Sequence, residues 1–323
     1  MTTSPKTLPG LHPLEYEHSF DAAALNTLQL TPGLDLLVRQ YNKHAVERMI
    51  TVRYTGSNVR VTKTSFPSIY ASLDRACEVI NLPDRPDFYI EHDSHINGFT
   101  VGVDHPIIVL TSGSVDHLTD DELLFLIGHE VGHIKSRHTL YHQLGQWFLP
   151  GFVQSLAQAT FGLGGFVSGP VQSALTYWSR MSEFTADRAG LLACQNISSA
   201  IRVMMKWAGV PKRFYGEMQW EQFVEQAREF DKLDKDVLSM IYKMGAIADS
   251  THPWTVVRTA ELLKWFEGED YQKVLARVSG DRQFVKREGT QAICRHCDYR
   301  LEGIEKFCPC CGSPLTVAAL ASA

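Results

Sequence analysis

Two histidines and a glutamate within five residues are the strongest candidates for chemistry in this chain: His129, Glu130 and His133. On a helix, residues four apart project from the same face, so both imidazoles can reach one divalent metal ion. The glutamate beside the first histidine stands where a carboxylate can take a proton from metal-bound water. The spacing therefore predicts a zinc-dependent hydrolase and favours a peptidase.

Two histidines do not complete such a site, because a catalytic zinc ion usually has three protein ligands and one open position. No third histidine follows His133 at the spacing of the metzincins, so the third ligand must lie further along the chain. The best candidate is Glu183, which shares a helix face with Asp187. Glu183 can bind the metal, while Asp187 can accept a hydrogen bond from a ligating imidazole and fix its tautomer.

The same histidine pattern also arises by chance on solvated helix faces, so the surrounding residues matter. Thr119 and Glu122 form a predicted capping box at the start of a helix over residues 120–140. The apolar run at residues 123–127 is too continuous for a surface helix and indicates burial. Gly128 and Gly132 would let other backbone approach this helix closely. A solvated face is therefore the weaker interpretation.

Periodicity elsewhere predicts an α+β fold that is mostly helical, with a small sheet beside the metal-binding helix. Helical spacing covers three segments: residues 22–48 (broken near 31–33), 67–80 and 254–266. Strand patterns cover four: residues 49–54, 58–62, 87–91 and 107–111. The turn Thr55-Gly56-Ser57 joins the first two strands in a predicted hairpin.

The two motifs together resemble the HtpX and CAAX-prenyl-protease group of zinc metallopeptidases, peptidase family M48, which are gluzincins. The residues that carry the resemblance are His129-Glu130-Val131-Gly132-His133, and Ser179-Arg180 followed by Glu183 and Ala186-Asp187. Flanking segments also look similar: Asn97-Gly98-Phe99, residues 107–113, and His252-Pro253 with Arg258. The resemblance spans residues 70–265 and implies a zincin-like core. The strong membrane-spanning pairs of the integral-membrane members are not visible here.

The resemblance implies a metalloendopeptidase that acts on peptide or protein substrates. Zinc held by His129, His133 and Glu183 would lower the pKa of its water to about 7 and polarise the scissile carbonyl. Glu130 would take the proton of that water as general base and pass it to the leaving amine. An extended peptide would pair with an edge strand near residues 97–103. Candidate contacts to the substrate or the oxyanion are Asn97, His252 and Arg258.

A cysteine cluster near the C-terminus predicts a second metal site. Cys294 and Cys297 form one Cys-x-x-Cys pair, and Cys308 and Cys311 form another ten residues later. Four thiolates at this spacing suit a structural zinc in a small zinc-ribbon-like module and a reducing compartment. Cys310 is an alternative ligand to Cys311, and iron, redox chemistry or disulfides are weaker interpretations. We expect this module to bind proteins or to deliver substrate.

The motifs and the composition along the chain predict five stretches. These are an N-terminal helical and hairpin region (1–65), a metallopeptidase domain (66–270), a linker (271–290), the zinc-ribbon-like module (291–316) and a tail (317–323). We expect one catalytic and one structural zinc ion.

Composition excludes little: the chain has 323 residues, 44% hydrophobic and 21% charged, with a net charge of -5. This charge gives no reason to expect nucleic-acid binding. No secretory signal pattern is visible at the start, so we expect a cytoplasmic protein. For residues 147–171, which are apolar but interrupted by Pro150 and polar side chains, a buried or surface-associated helix is favoured over membrane insertion. Peripheral membrane association and the oligomeric state stay open.

Other charged residues near the motifs are expected to have supporting roles. His138 falls on a different helical face from His133 and is expected to be exposed or a neutral cap. Arg180 and Arg188 are expected to orient Glu183 or Asp187. The competing hypothesis for the whole chain is a catalytically weak or inactive, metal-stabilised interaction module. The intact Glu130 argues against it, because a binding protein does not need that residue.

Overall fold

The computed structural model describes residues 4–30, 34, 46–145, 165–232, 253–276, 292–293 and 300–301. The chain groups into two compact units, Met1–Gly280 and Asp281–Ala323. The first unit consists mainly of helices. In chain order they are α1 (Ser19–Gln29), α2 (Val46–Ser57), α3 (Pro67–Ile80), α4 (Ser112–His117), α5 (Asp120–Lys135), α6 (Thr139–Gln143), α7 (Gly165–Cys194), α8 (Ile197–Trp207), α9 (Trp220–Lys232), α10 (Thr255–Glu267) and α11 (Glu269–Ala276).

A four-stranded sheet lies among these helices. Its strands are β1 (Val59–Arg60), β2 (Asp87–Glu91), β3 (Gly98–Val101) and β4 (Ile107–Thr111), arranged in the order β1-β2-β4-β3. The pair β2 and β4 is parallel, while β1 and β3 run antiparallel to their neighbours. The predicted strands at 87–91 and 107–111 are confirmed, as is the α+β, mostly helical class.

The two faces of the sheet pack into two parts of the core. Ile108 and Leu110 of β4 join a cluster formed with helices α3, α5, α7 and α8. Ile107 and Val109, which point to the opposite face, pack with residues of α1, α2 and the N-terminal half of α7. Because both faces of β4 are covered, all five of its residues are buried, which explains its continuous apolar sequence.

Helix α5 is buried as predicted, and its sequence sets where it starts. The backbone N–H of Thr119 donates to the carboxylate of Glu122 over 2.8 Å, which confirms the capping box. The helix ends at Lys135, earlier than residue 140, because Arg137 adopts a left-handed conformation with φ of 61°. Every residue from Glu122 to His133 is buried.

The predicted hairpin at residues 49–62 is wrong, because helix α2 continues through its proposed turn. Ile50 and Tyr54 stand four residues apart and are both buried, which is the helical rather than the strand period. The hydroxyls of Thr55 and Ser57 donate to carbonyls one turn earlier, at Thr51 and Arg53, over 2.7 Å each. Turn-forming residue types were therefore absorbed into the last turn of a helix.

The second unit contributes one pair of short antiparallel strands in its described part, β5 (Ala292–Ile293) and β6 (Arg300–Leu301). The predicted zinc ligands Cys294, Cys297, Cys308 and Cys311 lie outside the described residues, so the zinc-ribbon-like module stays a prediction. Residues 147–164 of the apolar segment lie outside them as well. Among the helices of the described ranges, none is both long enough and apolar enough to cross a bilayer.

Candidate active site

Helices α5 and α7 bring His129, His133 and Glu183 together in the interior of the first unit. The Nε2 atoms of the two histidines lie 3.1 Å apart. Oε2 of Glu183 lies 3.5 Å from Nε2 of His129, and its Oε1 lies 3.4 Å from Nε2 of His133. All three side chains are buried. The third residue chosen from the sequence therefore meets the histidine pair.

These distances fit a tetrahedral metal ion. With bonds of about 2.0–2.1 Å, the donor atoms of a tetrahedral zinc site lie about 3.3–3.4 Å apart. The two imidazole nitrogens lie 3.1 Å apart, and each has a different oxygen of Glu183 near it, at 3.5 and 3.4 Å, so the three groups lie within reach of one ion. Two imidazole nitrogens and one carboxylate are also the donor set that a catalytic zinc site prefers. The residues present are thus able to hold zinc.

Small residues let the two ligand-bearing helices approach each other closely. A Cβ atom added at Gly132 would stand 2.4 Å from Cβ of Ala189, and one added at Gly128 would stand 2.3 Å from Cβ of Ala193. Neither position on α5 tolerates a side chain without moving α7. The prediction that both glycines permit close approach is confirmed, and the reason is the need to bring Glu183 within reach of the histidines.

Asp187 orients the first histidine from one helical turn beyond Glu183. Its Oδ1 accepts a hydrogen bond from Nδ1 of His129 over 3.0 Å, which leaves Nε2 of that ring for the metal. Burial lowers the pKa of His129, but the hydrogen bonds to Asp187 and Glu183 outweigh it and raise that pKa to about 9. Metal binding must therefore displace a proton from this ring. Burial lowers the pKa of His133 to about 4, so that imidazole is neutral.

Arg258 of α10 lies behind this cluster with its side chain buried. Its Nε and Nη2 donate to the two carboxylate oxygens of Asp187 over 2.8 and 2.6 Å. Its Nη1 lies 3.3 Å from Oε2 of Glu183. Burial raises the pKa of Asp187, but the neighbouring guanidinium outweighs burial and lowers it, so Asp187 is ionised. Arg258 was expected near substrate, and the structure pairs it instead with the carboxylates that hold the site.

Glu130 projects from α5 towards the edge strand β3. Oγ1 of Thr100 on that strand donates to its Oε2 over 2.8 Å. Gly98, on the same strand, leaves space beside the carboxylate, since a Cβ there would lie 3.4 Å from Oε1. Burial raises the pKa of Glu130 to about 7, although the charge of His129 and the Thr100 hydrogen bond act to lower it. Such a carboxyl group can exchange a proton near neutral pH.

The comparison with protein families shows which family the chain that carries this cluster belongs to. The model of peptidase family M48 matches residues 63–266, well over half of the chain. The chain belongs to this family. The resemblance inferred from the two motifs is thereby confirmed, and the protein is a metallopeptidase whose substrates are peptides or proteins. M48 metallopeptidases use zinc, which agrees with the donor set of the cluster.

Relatives of this M48 metallopeptidase occur in plants and bacteria. It is 27% identical over 268 residues to the plastoglobule-localized metallopeptidase 48, chloroplastic, of Arabidopsis thaliana, covering 82% of this chain and 76% of that protein. It is 28% identical over 187 residues to the protease HtpX homolog of Gemmatimonas aurantiaca, covering 52% of this chain and 64% of that protein. The crystal structure of S. mikatae Ste24p matches 75% of this chain and 64% of its own at 16% identity, with a TM-score of 0.36.

Of the two alternatives for His138 of the M48 metallopeptidase, the exposed position is wrong, and the cap position is confirmed because His138 is the N-cap residue of α6. His138 is only 3% exposed rather than on the surface, and its Nδ1 lies 3.0 Å from Nδ1 of His133. Its Nε2 lies 3.1 Å from Oδ2 of Asp21 on α1. The chain leaves the helical path at Arg137, so a count of helical positions from His133 does not describe where His138 points. Asp21 carried no sequence signal of its own.

The other residues that were predicted to contact substrate or to support the site do not lie together. The backbone N–H of Asn97 donates to hydroxyls of Thr111 and Ser114 over 3.1 and 2.8 Å, which anchors the chain just before β3. Arg188 donates to the backbone carbonyl of Glu17 over 2.9 Å and so binds the N-terminal segment. Its expected role beside Glu183 or Asp187 belongs instead to Arg258. His252 lies outside the described residues.

Proposed function

We propose that this M48 metallopeptidase is a zinc-dependent endopeptidase in which His129, His133 and Glu183 hold the metal and Glu130 is the general base. The observation that carries the proposal is the convergence of three buried donor groups at distances that suit a tetrahedral ion. Glu130 follows the first of these ligands directly and contacts the edge strand β3 through Thr100. A base is thus available where a bound peptide would lie.

The reaction follows from these positions. A bound zinc ion would polarise the scissile carbonyl and acidify the attacking water. Glu130 accepts a proton from that water while the water oxygen attacks the carbonyl carbon. Glu130 then donates the proton to the peptide nitrogen as the carbon–nitrogen bond breaks, which yields a carboxyl group and an amine.

An extended peptide is proposed to add to β3. This strand pairs with β4 on one side, and its other edge has no partner strand among the described residues. Main-chain hydrogen bonds to such an edge would present the scissile bond alongside Glu130. Asn97, at the start of this edge, and His252 remain candidates for substrate or oxyanion contacts. For Arg258 we propose a positioning role towards Asp187 and Glu183 in place of an oxyanion contact.

The Glu130→Gln and Glu183→Ala variants test the mechanism and the ligand set separately. Glu130→Gln should retain zinc and abolish peptide cleavage, because it removes the base and leaves the donor atoms in place. Glu183→Ala should lose the catalytic zinc and the activity together. Undiminished cleavage by the first variant would rule out Glu130 as the base. Unchanged zinc content in the second would show that the third ligand is wrong.

A second, structural zinc ion is proposed for Cys294, Cys297, Cys308 and Cys311, on the strength of their spacing. Metal analysis should then find two zinc ions in the wild type and one in Glu183→Ala. Cys297→Ser should also lose one, and the purified variant should keep the catalytic ion. A single zinc ion in the wild type would contradict the second site.

We propose that the protein is cytoplasmic and makes peripheral contact with a lipid surface. The plastoglobule localisation of the Arabidopsis relative, stated in its name, supports the lipid contact. Flotation of the full chain with phosphatidylcholine vesicles tests it. Protein that stays at the bottom of the gradient at all lipid concentrations would contradict the proposal.

A further inference from the structure

The two candidate metal histidines differ in what holds their second ring nitrogen. Nδ1 of His129 lies 3.0 Å from a carboxylate oxygen of Asp187, whereas Nδ1 of His133 lies 3.0 Å from Nδ1 of His138. His138 in turn places its Nε2 3.1 Å from Oδ2 of Asp21. The exposed fractions of His133, His138 and Asp21 are 6%, 3% and 1%. Three buried side chains, linked by hydrogen bonds, thus connect the candidate metal site to helix α1.

A zinc ion on Nε2 of His133 would set the direction of these hydrogen bonds. The proton of His133 would then reside on Nδ1, and His133 would be the donor to His138. Nδ1 of His138 is then the acceptor, so the proton of His138 sits on Nε2 and is donated to Asp21. This tautomer of His138 satisfies both contacts at once. The carboxylate of Asp21 selects that tautomer because it can only accept.

Contacts to α7 hold the side chain of Asp21 in this position. Oγ1 of Thr185 donates to Oδ2 of Asp21 over 2.6 Å and itself accepts the backbone N–H of His18 over 3.0 Å. The other carboxylate oxygen, Oδ1, has no hydrogen-bond partner among the described residues. Burying a carboxylate that is not fully paired costs stability, and an apolar residue would avoid this cost. A structural contact between α1 and α7 alone does not require a charge here.

We propose that Asp21 and His138 are positioning residues for the metal ligand His133, acting through the hydrogen bonds described above. Asp21 lies on α1, before residue 63, where the match to family M48 begins. The N-terminal helix therefore completes a metal site whose ligands all lie within the matched residues. The inference rests on the proposed function, because it requires His133 to bind zinc.

The test compares zinc affinity in the full chain, measured by competition with a chelator. His138→Leu removes the acceptor, and Asp21→Asn keeps the shape but removes the charge. Loss of such an outer partner weakens metal affinity by about 10- to 100-fold. His138→Asn should recover part of the affinity of His138→Leu, since the asparagine oxygen can accept from Nδ1 of His133. The absorption spectrum of the cobalt-loaded Asp21→Asn and His138→Leu variants should also change, because His133 is no longer fixed.

Tyr16→Phe is the matched control. It removes a hydrogen bond of 3.0 Å between the N-terminal segment and Oγ of Ser136 and leaves the hydrogen-bonding groups of Asp21 and His138 in place. This variant should lose stability and keep the zinc affinity and cobalt spectrum of the wild type. Folding of each variant is checked by circular dichroism, and Asp21→Asn, which changes no volume, carries the test if His138→Leu does not fold.

Two outcomes would each overturn a proposal, and a third supports the inference. If the wild type binds zinc and cleaves peptides while Asp21→Asn and His138→Leu match it in zinc affinity and cobalt spectrum, the positioning role is wrong and the proposed function stands. If the wild type neither binds zinc at His133 nor cleaves peptides, the proposed function itself fails. A loss of affinity in the Asp21 and His138 variants, absent from Tyr16→Phe, supports the inference.

Discussion

Asp187 and Arg258 form a buried bidentate ion pair, with nitrogen–oxygen distances of 2.8 and 2.6 Å. Asp187 uses the same oxygen, Oδ1, to accept from His129 and from Nη2 of Arg258. The arginine therefore holds the carboxylate that contacts His129, one of the proposed metal ligands. Its third nitrogen lies 3.3 Å from Glu183, so one guanidinium orients both acidic residues of the site. The planar fork of arginine makes this arrangement possible.

Replacing Arg258 with alanine should destabilise the protein and weaken zinc binding together. Removal of one partner from a buried pair costs about 3–5 kcal/mol because the other charge is left uncompensated. Urea unfolding and chelator competition measure the two effects. Arg228→Ala, which breaks an exposed pair with Glu267, is the control and should cost about 0–1 kcal/mol. Equal losses of stability in the two variants would contradict the role of Arg258.

Removing the hydroxyl of Thr100 should slow catalysis without releasing zinc. Thr100→Val deletes the donor that holds Oε2 of Glu130, while it preserves the strand. A hydrogen bond to a charged group contributes about 1.5–3 kcal/mol, so we expect kcat to fall roughly tenfold or more. Steady-state kinetics and metal analysis measure the outcome. Thr100→Ser should restore kcat, and a Thr100→Val enzyme as fast as the wild type would show that this contact does not orient the base.

Adding a methyl group at Gly132 should push the ligand-bearing helices apart. The new Cβ of Gly132→Ala would meet Cβ of Ala189 at 2.4 Å. Overpacking of this kind costs about 1–3 kcal/mol, more than alanine gains over glycine in helix propensity. Thermal unfolding should show a lower midpoint, and zinc affinity should fall as Glu183 moves away. The double variant with Ala189→Gly should recover both; no recovery would place the strain elsewhere.

Glu261 should contribute acid-sensitive stability. Burial raises its pKa, but hydrogen bonds to His18 and Lys264 outweigh burial and lower it to about 2 from 4.5. A folded-state pKa below the unfolded value stabilises the protein above pH 4.5, and this contribution disappears as the pH falls towards 2.

Glu261→Gln should accordingly be less stable than the wild type at pH 7, and the difference should shrink between pH 4.5 and 2. Urea unfolding across this range measures the free energy of unfolding of both proteins. Subtracting one value from the other removes the contribution of the carboxyl groups that both proteins share. A difference that stays constant with pH would show that the charge of Glu261 is not what stabilises the fold.

Features that depend on neighbours in the chain were predictable. The capping box of Thr119 and Glu122, the burial of residues 123–127 and the shared face of Glu183 and Asp187 all follow from spacings of three or four residues. The hairpin prediction was wrong because it relied on a local pattern that packing outweighed. Thr55-Gly56-Ser57 is a local turn signal, and the burial of Ile50 and Tyr54 against the sheet outweighed it.

Features that depend on distant segments were not predictable in the same way. Arg258 is 71 residues from Asp187, and no pattern in the sequence distinguishes a pairing with that carboxylate from a contact with substrate. The pairing of His138 with Asp21 depends on the left-handed conformation of Arg137 and on the packing of α1 against α7. Such contacts arise from how elements pack, and one sequence does not record that.

The sequence by itself predicted the proposed ligands and base, because a metal site needs particular donor atoms at spacings that a helix translates into a shared face. It also determined the family, through the two motifs that carry those atoms. Only the tertiary structure decided what surrounds them: Arg258 behind Asp187, Thr100 against Glu130, and Asp21 behind His138. These contacts join segments that are far apart in the chain. They form only when packing brings the buried side chains together, so no local spacing encodes them.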